Sequence, residues 1–338
     1  MPLIELLTNA LAVRESLFDS RHETAFRLFN GFTEGCPELV IDLYATSLVI
    51  HNYAEQIEQG AALAQEAVAL LQNRLPWLNA GIVKTRHGKT TAEKRGQLLF
   101  GQTLDRKVSE NGVWYALDLT LNRDASLYLD TRHLREWATQ HLNGKTVLNT
   151  FAYTGSLGVA ATAGGAVRVA QLDRNRQFLN LAKTSYILNG FSLNKQDFLV
   201  GDFWQQVSRL KRAEEHFDCV LIDPPFFATA STGTVDLNQE NARLINKVRP
   251  LINDGGYLVA INNALYVSGR DYLNTLEAVC ADGYLQIADL IPIPPDFTGY
   301  PATRVGQPIT DPAPFNYSTK IAILKVKRKS LSQTQALK

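Results

Sequence analysis

The sequence predicts a doubly wound α/β domain with a seven-stranded, Rossmann-like sheet, preceded by a smaller α+β domain. Three observations carry this. From about Tyr128 onward, short apolar runs alternate with helical segments, the pattern of a mostly parallel sheet wrapped by helices. Before that point the runs are shorter and are broken by turn signals such as Asn30-Gly31 and Asn111-Gly112. The length of 338 residues, 45% hydrophobic and 20% charged, is that of a globular protein with two domains, or of one large domain with an appendage.

In chain order, Leu3, Ile4, Leu7, Leu11, Val13 and Leu17 approximate helical spacing. Strand-like runs follow at Ala25–Phe29, Leu39–Leu43 and Ser47–His51, then an amphipathic helix over Glu55–Leu71. Further strand signals lie at Gly81–Val83 and Gln97–Phe100, and Lys107–Leu119 reads as a hairpin turning at Asn111-Gly112. This half is expected to pair antiparallel. The second half offers strands at Thr146–Thr150, Ala166–Leu172, Asp197–Val200, Phe217–Ile222, Gly256–Ile261, Leu285–Ile291 and Ile321–Val326. Expected domains are therefore 1–125 and 126–330. Pro292–Pro314 holds seven of the thirteen prolines and is expected to be a long loop above the strand carboxyl ends.

Composition excludes several classes. No apolar run reaches the ~18 residues of a membrane span, and no basic-then-apolar leader opens the chain. Cys36, Cys219 and Cys280 are odd in number and widely spaced, which argues against disulfides or zinc and fits a reducing cytoplasm. The six histidines show no metal-ligand spacing, so no metal is expected. Net charge is +1, yet Lys84, Arg86, His87, Lys89, Lys94 and Arg95 form a basic segment able to attract a phosphate backbone. A second cluster, Lys325, Lys327, Arg328 and Lys329, reads as a solvated tail.

The chemistry-bearing motifs sit where open α/β sheets bind ligands, at strand carboxyl ends. Val147–Thr150 runs into Phe151-Ala152-Tyr153-Thr154-Gly155-Ser156, where a glycine allows close backbone approach and a helix start favours an anion. The next strand ends at Asp173, about twenty residues on, placed to accept two ribose hydroxyls. The third ends in Gly201-Asp202-Phe203, an acid and a ring suited to an adenine. The fourth, Cys219–Ile222, ends in Asp223-Pro224-Pro225-Phe226, whose prolines stiffen a turn carrying an acceptor and an aromatic ring. Each acid singly also reads as turn or N-cap chemistry. The turn lacks G-x-G-x-x-G, which disfavours a nicotinamide dehydrogenase.

Together these motifs resemble the class I S-adenosylmethionine-dependent methyltransferases, and more closely the large-subunit ribosomal RNA methyltransferases that make 5-methylcytosine or 7-methylguanosine. Tyr128-Leu129-Asp130-Thr131-Arg132 matches the family's tyrosine-leucine-aspartate-x-arginine segment, Phe151-Ala152-Tyr153-Thr154-Gly155 its F-x-Y-T-G signature, and Asp223-Pro224-Pro225-Phe226-Phe227 its D-P-P-x-F. Arg27-Leu28-Phe29-Asn30-Gly31 and Leu39-Val40-Ile41-Asp42-Leu43-Tyr44 resemble a further family segment, with Phe32, Glu34, Cys36 and Glu38 departing from it. The likeness runs from roughly Arg27 to Val326, and with so short a stretch before it the RNA-binding PUA module of some relatives is not expected in this sequence. It implies a methyltransferase sheet whose last strand is antiparallel. It also implies S-adenosyl-L-methionine held by Asp130, Arg132, Phe151, Tyr153, Thr154, Gly155, Ser156, Asp173, Asp202, Phe203 and Asp223. Asp223, Pro224, Phe226 and Asn262 would face the substrate. RNA, ribosomal in class, is the expected partner, with a homodimer left open.

Cytosine C5 needs a thiolate added at C6 before it is nucleophilic. In the cytosine-modifying relatives that cysteine follows the fifth strand, where this chain has Ile261-Asn262-Asn263-Ala264. A non-covalent route is therefore expected, to guanine N7 or an exocyclic amine. Transfer to a small molecule or a protein side chain is the alternative, and a silent nucleotide-binding module the further one.

Overall fold

The computed structural model describes residues 1–225, 237–307 and 311–328. The chain forms two compact units, Met1–Thr131 with Pro294–Pro308, and Arg132–Ile293 with Ile309–Lys338.

The first unit contains α1 (Leu3–Val13), β1 (Ala25–Asn30), α2 (Gly31–Glu34), β2 (Leu39–Tyr44), β3 (Ser47–Asn52), α3 (Ile57–Arg74), β4 (Ala80–Thr85), α4 (Thr91–Arg95), β5 (Gln97–Phe100), β6 (Lys107–Glu110) and β7 (Val113–Ala116). The sheet runs β1-β2-β3-β4-β5, and apolar faces of α1 and α3 close one core with Phe26, Leu28, Leu39 and Ile41. One pairing departs from the antiparallel expectation: β3 and β4 are parallel. The 18-residue helix α3 lies between them, and a crossover of that length returns the chain to the end where β3 began. The hairpin β6–β7 turns where expected. Asn111 (φ 52°) and Gly112 (φ 78°) are both left-handed, as a two-residue type I′ turn requires.

Two buried ion pairs fix the first unit. The Arg14 guanidinium, fully buried, forks onto both Glu34 oxygens at 2.9 Å, and Glu34 also accepts the Asn30 N–H at 2.8 Å and the Thr303 hydroxyl at 2.7 Å. Asp42 accepts from Arg27 at 2.8 Å and lies 3.4 Å from His51. Burial alone would raise its carboxyl pKa, but the charge and hydrogen bonds of Arg27 and His51 outweigh burial and hold it below the usual carboxylate range.

Pro294–Pro308 corrects the sequence-based boundary, which kept this segment inside 126–330. Asp296 is fully buried and accepts the Arg27 N–H at 2.9 Å, while the Phe297 carbonyl accepts from Asn30 Nδ2 at 2.6 Å. A buried carboxylate must find donors, and β1 supplies one.

The second unit contains α5 (Arg132–His141), β8 (Thr146–Thr150), α6 (Ser156–Ala163), β9 (Arg168–Asp173), α7 (Arg176–Leu188), β10 (Phe198–Val200), α8 (Phe203–Arg212), β11 (Phe217–Ile222), α9 (Leu237–Val248), β12 (Ile252–Asn262), α10 (Gly269–Cys280), β13 (Leu285–Ile291) and β14 (Lys320–Val326). The order is β10-β9-β8-β11-β12-β14-β13. The strands from β10 to β12 are parallel, and β14, antiparallel as expected, inserts between β12 and β13. The chain moves outward from β8 in both directions, which makes the carboxyl end of β8 the switch point where open α/β sheets bind ligands. No helix among the described residues is long and apolar enough to cross a membrane.

Removing one partner of a buried ion pair strands the other charge. Glu34→Ala is expected to lower unfolding free energy by roughly 3–5 kcal/mol, whereas an exposed carboxylate such as Glu58 should tolerate the same change. Chemical denaturation of the two variants measures the contrast.

Candidate active site

The loop after β8 has an unusual backbone. Phe151 (φ 54°), Tyr153 (φ 51°) and Gly155 (φ 77°) are all left-handed, a conformation costing on the order of 1–3 kcal/mol at each non-glycine residue. Specific bonds offset this. Asp173 Oδ2 accepts the Tyr153 N–H at 2.8 Å, the Leu172 carbonyl accepts from Ala152 at 2.9 Å, and the Ala152 carbonyl accepts from Gly155 at 2.7 Å. Gly155 and Gly158 leave room for the Gln171 side chain, with whose amide a Cβ at Gly158 would collide. Gln171 donates to the Gly155 carbonyl at 3.2 Å and accepts from Asn149 at 2.8 Å. Both amides are buried inside their strands. They were missed from the sequence, although a polar residue inside a core strand is itself a signal.

Asp173 closes β9, half-buried, and its Oδ1 accepts from Asn175 at 2.7 Å. Burial raises its pKa, against the lowering pull of the backbone N–H groups of Asn175, Tyr153 and Arg174. Asp202 caps α8 by accepting from Gln205 at 3.2 Å. Phe203 is buried in the core and stacks on half-buried Phe151, with centroids 4.7 Å apart and planes 21° apart, so it backs Phe151. Tyr153 meets Phe178 edge-on at 4.6 Å, Thr154 is buried and Ser156 opens α6. Asp130 is half-buried at the end of the first unit's main segment, and Arg132 opens α5.

At the end of β11, Asp223 and Pro224 are half-buried. Phe226 lies outside the described residues. Asn263 Nδ2 donates to Asp223 Oδ1 at 2.7 Å. The amide beside Asp223 is thus Asn263, and the expectation for Asn262 is corrected. Alternation along β12 turns Asn262 inward, where it is buried and its Oδ1 accepts the Ala264 N–H at 2.9 Å. Lys320, paired with Asn262 across the sheet, donates to the Ala264 carbonyl at 3.1 Å and braces the same turn.

None of the three thiols is activated. Burial raises all three, Cys36 to about 11 with Glu38 adding to it, and Cys219 is fully buried inside β11. The basic segment also needs correction. Lys84 is buried, donates to the carbonyls of Asn122 at 2.8 Å and Asp124 at 3.1 Å, and is not available to a phosphate. Arg86 pairs with Asp124 at 3.2 Å, while His87, Lys89 and Arg95 are exposed.

A glycine turn opening a helix after β8 and acids closing the flanking strands β9 and β11 have the arrangement by which Rossmann-like sheets take nucleotide-type cofactors. A family model for S-adenosylmethionine-dependent methyltransferases matches residues 60–305, and the chain belongs to that family. YwbD of Bacillus subtilis (strain 168), provisionally named a ribosomal RNA large subunit methyltransferase, is 30% identical over 287 residues, covering 80% of this chain and 69% of YwbD. Ribosomal RNA large subunit methyltransferase I of Photobacterium profundum is 28% identical, over 75% of this chain and 63% of that protein. Ribosomal RNA large subunit methyltransferase K/L of Shewanella frigidimarina (strain NCIMB 400) is 31% identical, over 67% of this chain and 32% of that protein. The chain therefore spans from about a third to about two thirds of these relatives' lengths. The crystal structure of SMU.776 complexed with SAH shares the fold, with a TM-score of 0.81 at 24% identity over 96% of this chain and 81% of that one. The family's cofactor is S-adenosylmethionine, and the residues fit it. Asp173 keeps acceptor capacity beyond its two backbone bonds, and the first N–H groups of α6 have no partner within the helix.

Asp173→Ala removes the acceptor for two backbone N–H groups and is expected to weaken S-adenosylmethionine binding by on the order of 1–3 kcal/mol, read by calorimetry. Unchanged affinity in a folded variant would separate Asp173 from the cofactor. Lys84 gives a pH signature. Burial lowers its amine to about 8, below the unfolded value, so between these values the unfolded chain binds more protons and stability rises with pH. The stability difference between the native chain and Lys84→Met should shift toward the native chain from pH ~8 to ~10. A flat difference in denaturation midpoints would contradict it.

Proposed function

We propose that this chain transfers a methyl group to an exocyclic amine of a nucleobase in RNA, ribosomal RNA in class, with no covalent cysteine adduct and in the cytoplasm. The observation that carries this reading is the turn Asp223-Pro224-Pro225. Its prolines have no N–H, so the Asp223 carboxylate and the Pro224 carbonyl present acceptors to the substrate. Acceptors match the N–H groups of an amine. Guanine N7 is itself an acceptor, so two acceptors would face each other, and the amine is favoured over N7 on that ground.

S-adenosylmethionine supplies the methyl group. Asp173 and Asp202 are read as its ribose and adenine acceptors, the amino end of α6 as the place for its carboxylate, and Phe151, backed by Phe203, as a wall, with Arg132, Tyr153, Thr154, Gly155 and Ser156 completing the pocket. The Asn263 bond holds Asp223 in one orientation. Accepting one amine N–H, Asp223 fixes the nucleophile, and it can take the proton the nitrogen must lose once it carries the methyl group. Alignment of this kind contributes up to ~7–11 kcal/mol. The ribosomal class is supported by the names of the relatives, and the non-covalent route by three unactivated thiols.

Asp223→Asn should lower turnover by roughly 10²-fold or more. Cys36→Ser, Cys219→Ala and Cys280→Ser combined should leave methyl transfer intact in a folded protein. Mass spectrometry of ribosomal RNA nucleosides from a deletion strain tests the reading. Loss of an N-methylated nucleoside is expected. Loss of 5-methylcytidine, or a trapped adduct with 5-fluorocytosine RNA, would overturn the amine reading, and unchanged RNA would overturn RNA as substrate.

A further inference from the structure

In the first unit, β1 and β3 each run antiparallel to β2, and β3 runs parallel to β4. The carboxyl ends of β1, β3 and β4 therefore meet at one end of the sheet. After β1 comes α2, carrying Phe32, which is 56% exposed. Tyr53 follows β3. Arg86 follows β4 and begins the run that holds exposed His87, Lys89 and Arg95. These are neighbours in space as well. Phe32 meets Tyr53 edge-on, with centroids 4.9 Å apart and planes at 74°, and the Arg86 guanidinium lies 5.4 Å from the Tyr53 centroid.

The turn that projects Phe32 is rigid. A side chain on Gly31 would collide with the Cys36 and Leu39 carbonyls, and Glu34 is locked by Arg14. A phenylalanine this exposed on a fixed turn gains nothing from the core, yet Tyr53 steadies its ring from the side and leaves much of its surface in solvent. Arg86 is paired with Asp124, but the run that follows it, His87 to Arg95, carries three cations, Lys89, Lys94 and Arg95, against the single acid Glu93. A flat aromatic surface next to cations complements a stacked base with its flanking phosphates. In a duplex both faces of each base are already covered, so an unpaired base is required.

We propose that this end of the sheet is a docking site for single-stranded RNA, in which Phe32 stacks on an unpaired base and Lys89 and Arg95, with His87 beside them, meet the adjacent phosphates. The site rests on the RNA reading above and belongs to the first unit, whereas β9 and β11, whose terminal acids are read as cofactor and substrate residues, belong to the second.

The test is fluorescence anisotropy of a short, labelled, mixed-sequence single-stranded oligoribonucleotide titrated with the full chain. Phe32→Ala should raise Kd about 5- to 150-fold, the range for losing one stacked base, while Phe32→Trp keeps binding close to native. Replacing Lys89 and Arg95 by glutamine should flatten the plot of log affinity against log salt by about 0.7 per cation. S-adenosylmethionine affinity and Tm should stay unchanged in all of these. Native-like RNA binding by Phe32→Ala would overturn the stacking site and leave the RNA reading standing, the face then serving a protein partner. Failure of the native chain to bind RNA at low salt would overturn both.

Discussion

Parallel pairing from β10 through β12 is the constraint on which the second unit depends. A parallel strand must be reached by a crossover, so every strand in the run ends at the same edge. The polar residues that close those strands, Asp173, Asp223 and Asn263, are thereby gathered from positions far apart in the chain. The antiparallel insertion of β14 beside β12 adds Lys320 to the same edge from near the chain's end. Its bond to the Ala264 carbonyl ties the last strand to the turn that carries Asn263.

The edge is held in shape by an opposition of costs and bonds. Left-handed backbone at Phe151 and Tyr153 is unfavourable locally and persists because Asp173, itself half-buried, accepts the Tyr153 N–H. Beneath the loop, the buried Asn149–Gln171 pair connects two strands to the Gly155 carbonyl. Buried amides of this kind are worth having only when bonded, since an unpaired one costs about 1–3 kcal/mol. One carboxylate thus holds the loop after β8 to the end of β9.

The first unit divides its charges by burial. Arg14, Glu34, Asp42 and Lys84 are buried and bonded to the protein itself, which makes them structural. Lys89 and Arg95, in the same stretch of sequence as Lys84, are exposed and free to act on solvent-borne groups. A run of basic residues is therefore not one functional object. In a strand, alternate residues face opposite sides, and Lys84 lies within β4 whereas the others follow it.

The sequence by itself determined the elements and their order. Apolar periodicity marked all seven strands of the second sheet, Asn111-Gly112 marked a hairpin turn, and the acids Asp173 and Asp223 marked the ends of two strands. These are legible because period, turn chemistry and capping act within a few residues. Tertiary structure alone decided that β3 pairs parallel with β4, that Pro294–Pro308 joins the first unit, that Asn263 rather than Asn262 meets Asp223, and that Lys84 is buried. Each of these turns on which distant group satisfies a polar atom. Partners 40 residues apart in the Asp223–Asn263 case, and 269 in the Arg27–Asp296 case, leave no local pattern, because the contact exists only after the chain has closed around it.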